Sequence, residues 1–336
     1  MKFAFVGDSD IPLFNQDLAR THSISDSKVE KSFSRHAKAA GPEDREVGPV
    51  PKDSDVLKSG VAAVPSSSKQ LRPPLRWAGS KKRQISKLLR LISGKPEKVI
   101  EPFAGSACFT LQLNASRSTI SDLNTDLIHF YRALKEDPED LHVRFSALEV
   151  SESNYYQVRS RFNKNPSGED KSALFLYLNR YGFNGIYRVN KSGLYNVPWG
   201  GEKSGAPPSL ADLIAVSERM KTISVCDGDF EEVVRRELAP GALVYLDPPY
   251  ARDEVRVFRE YHANSFSTSD WERLVALIYD IDRIGAYFVL SYAGDSELVD
   301  ALRRWEVGRL EVTRNVGGFA STRRKHSEFM ASNYTS

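Results

Sequence analysis

Hydrophobic and polar positions divide the chain into two parts near residue 70. Residues 21–70 contain 17 Ser, Gly or Pro residues and a single aromatic residue, Phe33. A segment of this kind has few apolar side chains whose burial could offset the entropy lost when the chain becomes ordered. We therefore predict that residues 1–70 form a disordered or loosely attached extension.

Beyond residue 70, apolar residues recur at the spacing of helices. Within 85–92 they fall at i, i+3, i+4 and i+7, which predicts an amphipathic helix that ends before Gly94. A second helix is predicted over 126–136 and another around 269–282. These segments are long enough, and regular enough in their pattern, to cover the faces of a sheet.

Short apolar runs between the helices predict strands. The runs are Val99–Ile100, Thr119–Leu123, Ala242–Leu246, Ala286–Ser291 and Val307–Val312. Strands that alternate with helices predict a mostly parallel sheet covered on both faces, which is the doubly wound α/β class. Residues 137–225 interrupt this alternation with sequence rich in aromatic residues, Asn and Arg. We interpret them as an inserted lobe of helices and loops.

Composition excludes several classes of protein. Hydrophobic residues make up 40% and charged residues 27% of the chain, close to the averages of soluble globular proteins. The longest apolar runs, such as 286–290, are far shorter than the ~20 residues that a membrane-spanning helix needs. Residues 1–10 lack the basic start and long apolar run of a signal peptide, so we expect a cytoplasmic protein without membrane contact.

Cysteine content and net charge exclude fewer kinds of function than composition does. The two cysteines, Cys108 and Cys226, cannot form a disulfide framework and do not have the spacing of a zinc site. We expect both to be small buried residues. The formal net charge of +3 permits a polyanionic partner without requiring one.

The sequence Asp247-Pro-Pro-Tyr250 directly follows the predicted strand 242–246. Ligands of open α/β sheets bind outside the carboxyl ends of parallel strands. At such a place Asp247 and the Pro248 carbonyl can accept both N–H groups of an exocyclic amine, while Tyr250 stacks on the attached ring. A Pro-Pro pair alone is typical of a plain turn. The flanking Asp and Tyr favour a functional site.

A glycine-containing loop, residues 103–107, lies between the first predicted strand and the following apolar stretch. It is similar to the turns that let a backbone approach a nucleoside cofactor, but it lacks a complete G-x-G-x-x-G, so a plain strand–helix turn is an equally good interpretation of the loop alone. Asp122, at the end of the next predicted strand, can accept hydrogen bonds from ribose hydroxyls. The pair favours a nucleoside without a pyrophosphate.

Residues 180–190 interleave guanidinium groups, amides and aromatic rings. This mixture is suited to contacting phosphates and reading base edges in nucleic acid. Aromatic runs usually belong to a core, and we expect Tyr177 and Leu178 to be core residues. The Asn-Gly and Asn-Lys-Ser-Gly turns favour an exposed hairpin for residues 183–193.

Taken in order, these motifs resemble those of the Dam-like DNA adenine-N6 methyltransferases. The matching segments are residues 75–81, 101–105, 120–128, 177–186, 188–190, 196–200, 247–250, 261–266 and 328–334. The resemblance spans about 71–336 and leaves residues 1–70 outside. Ala107 departs from the pattern, because it stands where a second glycine is expected, and this puts the tightness of the loop in doubt.

The resemblance implies S-adenosyl-L-methionine (AdoMet) as cofactor, double-stranded DNA as partner and no metal ion. Implied AdoMet contacts are Trp77, Ala78, Gly79, Lys81, Phe103, Gly105, Asp122, Asp229 and Asp247. Implied catalytic residues are Asp247, Pro248, Pro249 and Tyr250. Implied DNA contacts are Arg76, Arg180, Phe183, Asn184, Ile186, Arg188 and Pro198. Residues 71–136 and 226–336 would form the AdoMet-binding and catalytic parts, and 137–225 the target-recognition lobe.

The implied activity is methyl transfer to N6 of an adenine flipped out of duplex DNA, with GATC or a related sequence as the expected site. Two alternatives remain. The same amine clamp suits a planar amine in RNA or a protein amide, against which the recognition segment argues. A DNA-binding regulator without chemistry is the other alternative, and the intact Asp247 and Tyr250 argue against it.

Overall fold

A computed structural model describes residues 71–165, 168–201, 206–249, 266–292, 297–315 and 323–334. All of these residues belong to one compact unit. The predicted extension 1–70, Tyr250 and most of the segment 261–266 lie outside the described residues. None of the helices within the described ranges is long and apolar enough to cross a membrane.

The described part of the chain contains a seven-stranded sheet. Its strands are β1 (Lys98–Glu101), β2 (Arg117–Asp122), β3 (Ile223–Asp227), β4 (Leu243–Leu246), β5 (Tyr287–Tyr292), β6 (Glu306–Asn315) and β7 (Arg323–Ser332). Their order is β3-β2-β1-β4-β5-β7-β6. The first five in this order are mutually parallel, and β7 is antiparallel to both β5 and β6. The predicted doubly wound α/β class, with a mostly parallel sheet, is confirmed as a Rossmann-like fold.

Helices connect and flank these strands. They are α1 (Ile85–Leu89), α2 (Cys108–Gln112), α3 (Thr125–Glu136), α4 (Pro138–Ser146), α5 (Glu152–Asn163), α6 (Gly168–Tyr181), α7 (Leu210–Met220), α8 (Phe230–Glu237), α9 (Thr268–Ile284) and α10 (Glu297–Asp300). The helix predicted within 85–92 ends earlier than expected. The amides of Leu91 and Ile92 bond three residues back, to Leu88 and Leu89, so the last apolar residue of the pattern lies in a turn.

Strand β4 is buried on both faces, which explains why its sequence is continuously apolar. Val244 and Leu246 pack with α9 on one face of the sheet. Leu243 and Tyr245 pack on the other face, where the Tyr245 ring stacks on Phe109 of α2 with 3.9 Å between centroids. A parallel strand covered on both faces has no polar side, so the usual alternation is absent. The carboxyl end of β4 is therefore held from both sides.

Helices α4, α5 and α6, with the segment 182–201, form most of the predicted lobe. Residues 189 and 195 pair in an antiparallel bridge, as do 182 and 199, so the hairpin predicted over 183–193 extends further along the chain. Tyr177 and Leu178 are buried as expected, while the Phe183 side chain is 41% exposed. Strand β3 pairs with β2 in the sheet, so residue 225, the expected end of the lobe, lies within a sheet strand.

The prediction that both cysteines are buried is wrong for one of them. Cys108 is buried in α2, whereas Cys226 is only half-buried. Cys226 belongs to β3, which among the described strands is the last at one end of the sheet order and has a neighbour on one side only. Its sulfur accepts a hydrogen bond from Arg236 at 3.3 Å.

The start of α9 provides a test of local stability. Ser267 and Asp270 form a reciprocal capping box, in which each side chain accepts from the other residue's amide. Replacement of Ser267 by Ala removes an acceptor for an otherwise unpaired helix amide, so we expect a loss of about 1 kcal/mol in the free energy of unfolding.

Denaturant unfolding of Ser267→Ala and wild type measures this loss. Thr268→Ala, an exposed substitution at the next position of the same helix, is the control and should change stability by less than about 0.5 kcal/mol. Equal stability of Ser267→Ala and Thr268→Ala would contradict the capping role.

Candidate active site

The sheet reverses its winding between β1 and β4. From β1 the chain proceeds outward to β2 and β3, and from β4 it proceeds in the other direction to β5. Ligands of open α/β sheets bind at such a switch point, beyond the carboxyl ends of the strands. The loop 102–107 follows β1 and Asp247 follows β4, so the two predicted motifs lie on either side of this crevice.

Lys81 lies between two carboxylates at the crevice. Its Nζ is 2.6 Å from Asp247 Oδ1 and 3.6 Å from Glu328 Oε2, and its side chain is 2% exposed. Ser291 at the end of β5 also donates to Asp247, at 3.3 Å. Lys81 thereby joins the segment before α1 to the end of β4 and to the middle of β7. The sequence implied an AdoMet contact for Lys81, and the structure places it against the candidate catalytic carboxylate.

Two opposing effects act on the Asp247 carboxyl. Burial raises its pKa above the ordinary value, and the adjacent Lys81 ammonium opposes that shift, as does the Ser291 hydroxyl. Glu328, which is fully buried, adds to the rise through charge repulsion. An ammonium at hydrogen-bond distance favours the ionised carboxyl, which can only accept hydrogen bonds.

The backbone of the glycine loop is fixed by side chains from β2 and α3. Asp122 accepts from the amides of Gly105, at 3.1 Å, and Asn124, at 3.0 Å, and the Tyr131 hydroxyl donates to the Gly105 carbonyl at 2.9 Å. Gly105 has φ +46°, and a Cβ there would lie 2.8 Å from Trp77 Cδ1. The loop therefore requires glycine at 105 for its conformation and for the approach of the Trp77 ring.

Ala107 occupies the position where a second glycine was expected. It adopts a left-handed conformation, φ 50° and ψ 25°, and is fully buried. Its amide still donates to the Ala104 carbonyl at 2.6 Å, so the loop keeps a tight turn. An L-residue other than glycine in this region costs about 1–2 kcal/mol, which the surrounding packing has to offset.

Glu101, the last residue of β1, is a buried carboxyl to which the sequence analysis assigned no role. Its Oε2 accepts the Thr110 amide at 2.9 Å, in the helix that follows the glycine loop. Burial raises the pKa of Glu101 to about 8, and nearby Asp247 adds to the rise. An acidic residue directly after the apolar run Val99–Ile100 was the available signal for this site.

Phe103 and Asp229 lie together on the β3 side of the crevice. The Phe103 ring stacks on Phe230 with 5.3 Å between centroids and meets Phe266 edge-on at 5.8 Å. Asp229 caps α8 and forms a close ion pair with Arg273. The implied cofactor residue Asp229 therefore has a structural role as well, because one of its oxygens holds a helix end and a guanidinium.

Two of the implied DNA contacts, Arg76 and Arg180, meet where the segment before α1 contacts the end of α6. The Arg76 guanidinium donates to the Arg180 carbonyl at 3.0 Å. The Arg76 main chain is bonded through both its N–H and its C=O to the side chain of Asn179. Asn179 was not identified from the sequence, although a polar residue after the apolar run 173–178 was a visible signal.

The other implied DNA contacts lie along the hairpin 182–199. The Phe183 amide donates to the Pro198 carbonyl at 2.9 Å, and both side chains are exposed. Asn184 has φ 55°, and Ile186 is half-buried against the core. Arg188 Nε donates to Asn196 Oδ1 at 2.8 Å, which orients the guanidinium.

Trp77 connects this hairpin with the glycine loop. Its ring stacks on Tyr187 with 6.3 Å between centroids, and the Tyr187 hydroxyl donates to Asp126 Oδ2 at 2.6 Å. Ala78 and Gly79 are exposed, and the Gly79 carbonyl accepts from Lys81 Nζ at 3.3 Å. Within the described ranges, no group of three or more His, Cys, Asp or Glu residues is arranged to hold a metal ion.

The Asp247 carboxylate, paired with buried Lys81, and the glycine loop lie on opposite sides of the switch point, which is where open α/β sheets bind their ligands. Residues 77–316 match the family described as D12 class N6 adenine-specific DNA methyltransferase. The chain belongs to this family, which confirms the resemblance noted in the sequence. It is a DNA adenine methyltransferase.

Several relatives match about two thirds or more of this chain. The chain is 32% identical over 281 residues to the type II methyltransferase M1.LlaDCHI of Lactococcus lactis subsp. cremoris, covering 79% of this chain and 96% of the relative. It is 31% identical over 269 residues to the DNA adenine methylase of Escherichia coli K12, covering 78% and 95%. The type II methyltransferase M.MjaIII of Methanocaldococcus jannaschii is 33% identical over 244 residues, covering 66% and 84%.

The raised pKa of Glu101 predicts a pH dependence of stability. Because its folded pKa of about 8 exceeds the ordinary value of 4.5, the folded protein keeps a proton that the unfolded chain releases. The contribution of Glu101 to the free energy of unfolding should therefore be complete below about pH 4.5. It should fall as the pH rises to about 8, by up to about 1.4 kcal/mol per pH unit.

Glu101→Gln removes this titration and keeps an oxygen acceptor for the Thr110 amide. We expect its free energy of unfolding, measured by urea denaturation between pH 5 and 8, to decline less with pH than that of wild type. Parallel pH profiles for the two proteins would show that Glu101 is ionised in the folded state.

Proposed function

We propose that the protein transfers a methyl group from AdoMet to N6 of an adenine flipped out of double-stranded DNA, in GATC or a related site. The observation that carries this proposal is the Asp247 carboxylate, held by Lys81 beside the glycine loop at the switch point. Sequencing that detects N6-methyladenine in DNA from cells expressing the protein tests both the activity and the site.

The side chains and backbone groups around the glycine loop fit AdoMet. Each Asp122 oxygen accepts one backbone amide, and a carboxylate oxygen has a second lone pair, so ribose hydroxyls can still donate to it. The Trp77 ring, the Gly105 backbone and Phe103 would line the same pocket. When bound, AdoMet supplies a methyl group activated on a sulfonium. The chain's own residues would orient the cofactor and hold the amine opposite it.

The end of β4 is suited to binding an exocyclic amine. Asp247 keeps 18% of its side chain exposed although its partner Lys81 is buried, so one edge of the carboxylate faces the crevice. We propose that Asp247 and the Pro248 carbonyl accept the two N–H groups of adenine N6. Pro249 would fix the turn, and the Tyr250 ring would stack on the base. Accepting both hydrogens directs the nitrogen lone pair away from the carboxylate and orients it for reaction. After it has taken the methyl group, N6 would release one proton to solvent, which restores a neutral amine.

A base inside a duplex cannot reach this clamp, so the target adenine has to leave the stack. Phe183 is the candidate for supporting the bases left behind, because its ring is 41% exposed on the hairpin of the lobe. This assigns target recognition to residues 137–225, and cofactor binding and catalysis to 71–136 and 226–336.

Base reading in this proposal depends on two arginines. We assign Arg76 to the first guanine of GATC and Arg188 to the outer guanine of the other strand, since a guanidinium matches the O6/N7 edge of guanine. Asn184 and Pro198 would lie near the central pairs, with Arg180 and Ile186 beside them. The Asn196 contact holds the Arg188 fork in one orientation, which suits base reading more than a loose phosphate contact.

Replacement of Asp247 by Asn tests the clamp. Asn keeps the size of the side chain but replaces one acceptor oxygen with an NH₂ group, which would face Lys81 or adenine N6. We expect radiolabelled methyl transfer to duplex DNA to fall by roughly 100-fold or more. The same substitution at Asp227, an exposed residue ending β3 and paired with Arg132, is the matched control and should keep activity.

Thermal unfolding of both variants separates lost chemistry from lost folding. Asp247→Asn leaves a buried ammonium less well compensated, so some loss of stability is expected. A folded Asp247→Asn protein with wild-type activity would exclude the proposed mechanism.

Replacement of Arg188 by Ala tests base reading on GATC duplexes and on duplexes with each outer base changed. Losing a base contact should cost ~1–3 kcal/mol on GATC and relax the preference at one outer position. Arg161→Ala, an exposed arginine of α5 in the same lobe, should keep the wild-type preference.

Two results would count against this assignment. Uniform loss of methylation on all duplexes in Arg188→Ala would indicate a phosphate contact. A wild-type protein indifferent to the outer bases would remove the GATC assignment.

A further inference from the structure

Asn179 makes a pair of hydrogen bonds that joins the lobe to the catalytic domain. It lies in the last turn of α6 and is 4% exposed. Its Oδ1 accepts the Arg76 amide at 2.9 Å, and its Nδ2 donates to the Arg76 carbonyl at 2.6 Å and to the Gly185 carbonyl at 3.3 Å. One side chain thus satisfies both polar groups of a single residue, as a neighbouring strand would. This geometry fixes the Arg76 main chain in position and orientation.

The lobe also contacts Arg76 through Gly185 of the hairpin. Gly185 of the hairpin lies against the Arg76 side chain so closely that a Cβ at 185 would be 2.5 Å from Arg76 Cβ. The Arg76 guanidinium also bonds to the carbonyl of Arg180, the residue after Asn179. Movement of Arg76 therefore requires movement of the end of α6 and of the hairpin together.

The next residue, Trp77, connects the fixed Arg76 main chain to the glycine loop. Trp77 packs against Gly105, where no side chain larger than hydrogen fits, and stacks on Tyr187 of the hairpin. Arg76 and Trp77 are consecutive, so displacement of one displaces the other. A residue proposed to read DNA and a residue proposed to line the cofactor pocket thus share one anchored main-chain segment.

We infer that Asn179 is a positioning residue that couples binding at the cofactor pocket to binding of DNA. The inference rests on the proposed function, because it takes Trp77 as a cofactor contact and Arg76 as a DNA contact. A ligand that fixes Trp77 also fixes Arg76 in the place set by Asn179, so DNA meets a prearranged arginine. Coupling between two binding sites is reciprocal, so DNA must strengthen cofactor binding by the same factor.

The chain contains a matched control for this pair of bonds. Asn163, at the end of α5, accepts the Tyr195 amide at 2.8 Å and donates to the Tyr195 carbonyl at 2.9 Å. The arrangement is the same two-bond ring between an Asn side chain and one residue's main chain. Asn163 lies within the lobe. Its two bonds are to Tyr195 of the hairpin and not to the Arg76–Trp77 segment. Loss of either amide removes the same pair of main-chain bonds, and loss of Asn179 also removes its bond to Gly185. Of the two, Asn179 is the one that bonds to the Arg76–Trp77 segment.

The experiment measures duplex affinity with and without S-adenosyl-L-homocysteine, a probe that carries no transferable methyl group. Fluorescence anisotropy gives the Kd of a labelled GATC duplex in both conditions. For wild type we expect the probe to tighten duplex binding by about 5- to 150-fold, the usual range for coupled sites. In Asn179→Ala the factor should fall to less than about half the wild-type value, while Asn163→Ala should keep it.

A second variant guards against unfolding of Asn179→Ala. In Asn179→Asp the acceptor for the Arg76 amide is kept, and the donor to the Arg76 carbonyl is replaced by an oxygen. Its coupling factor should also fall below the wild-type value, with thermal unfolding used to verify that each variant is folded. If Asn179→Ala does not fold, Asn179→Asp decides the question.

Three outcomes would overturn the inference. They are wild-type binding of probe and duplex without coupling, an unchanged factor in the folded Asn179 variants, and an equal loss in Asn163→Ala. The first leaves the proposed function intact, because both ligands bind. A wild-type protein that binds neither the probe nor the duplex would instead overturn the proposed function, and this inference with it.

Discussion

The buried ion pair between Lys81 and Asp247 is the interaction on which the arrangement of the site depends. A charge moved out of water is costly unless a partner compensates it, and removing one partner of a buried pair typically costs 3–5 kcal/mol. Lys81 can therefore be buried only where the end of β4 supplies a carboxylate, and Glu328 of β7 lies within 3.6 Å as well. This requirement brings the segment before α1 back to the crevice.

Once that segment is placed, the lobe 137–225 and the glycine loop become neighbours. Arg76 and Trp77 come shortly before Lys81, and they contact the lobe on one side and Gly105 on the other. These contacts are hydrogen bonds and close packing, both of which tolerate little displacement. In the proposed function, target recognition and cofactor position would depend on the same two residues.

The glycine loop shows how packing compensates for unfavourable local geometry. Ala107 is held in a left-handed conformation, and Glu101 is buried beneath the loop with a pKa raised to about 8. Neither feature is stable by itself. The amide of Thr110 satisfies the Glu101 carboxyl, and Asp122 and Tyr131 hold the Gly105 backbone from outside. The loop conformation therefore follows from its surroundings more than from its own sequence.

Local sequence determined the elements that depend on hydrophobic period and turn chemistry. Strand β4, helix α9 and the motif beginning at Asp247 were recognisable because a doubly buried strand is continuously apolar and an amphipathic helix repeats its pattern. Strands β3 and β7 were missed. The first lies at one end of the sheet and has few buried residues, and the second begins with Arg and Lys residues, so both depend on neighbours distant in sequence. The burial of Glu101, whose partner Thr110 is only nine residues away, is likewise decided by the packing around the carboxyl. For Asn179 and Glu328 even the partners, Arg76 and Lys81, are decided only by the tertiary structure, since a contact across a hundred or more residues leaves no periodic signal along the chain.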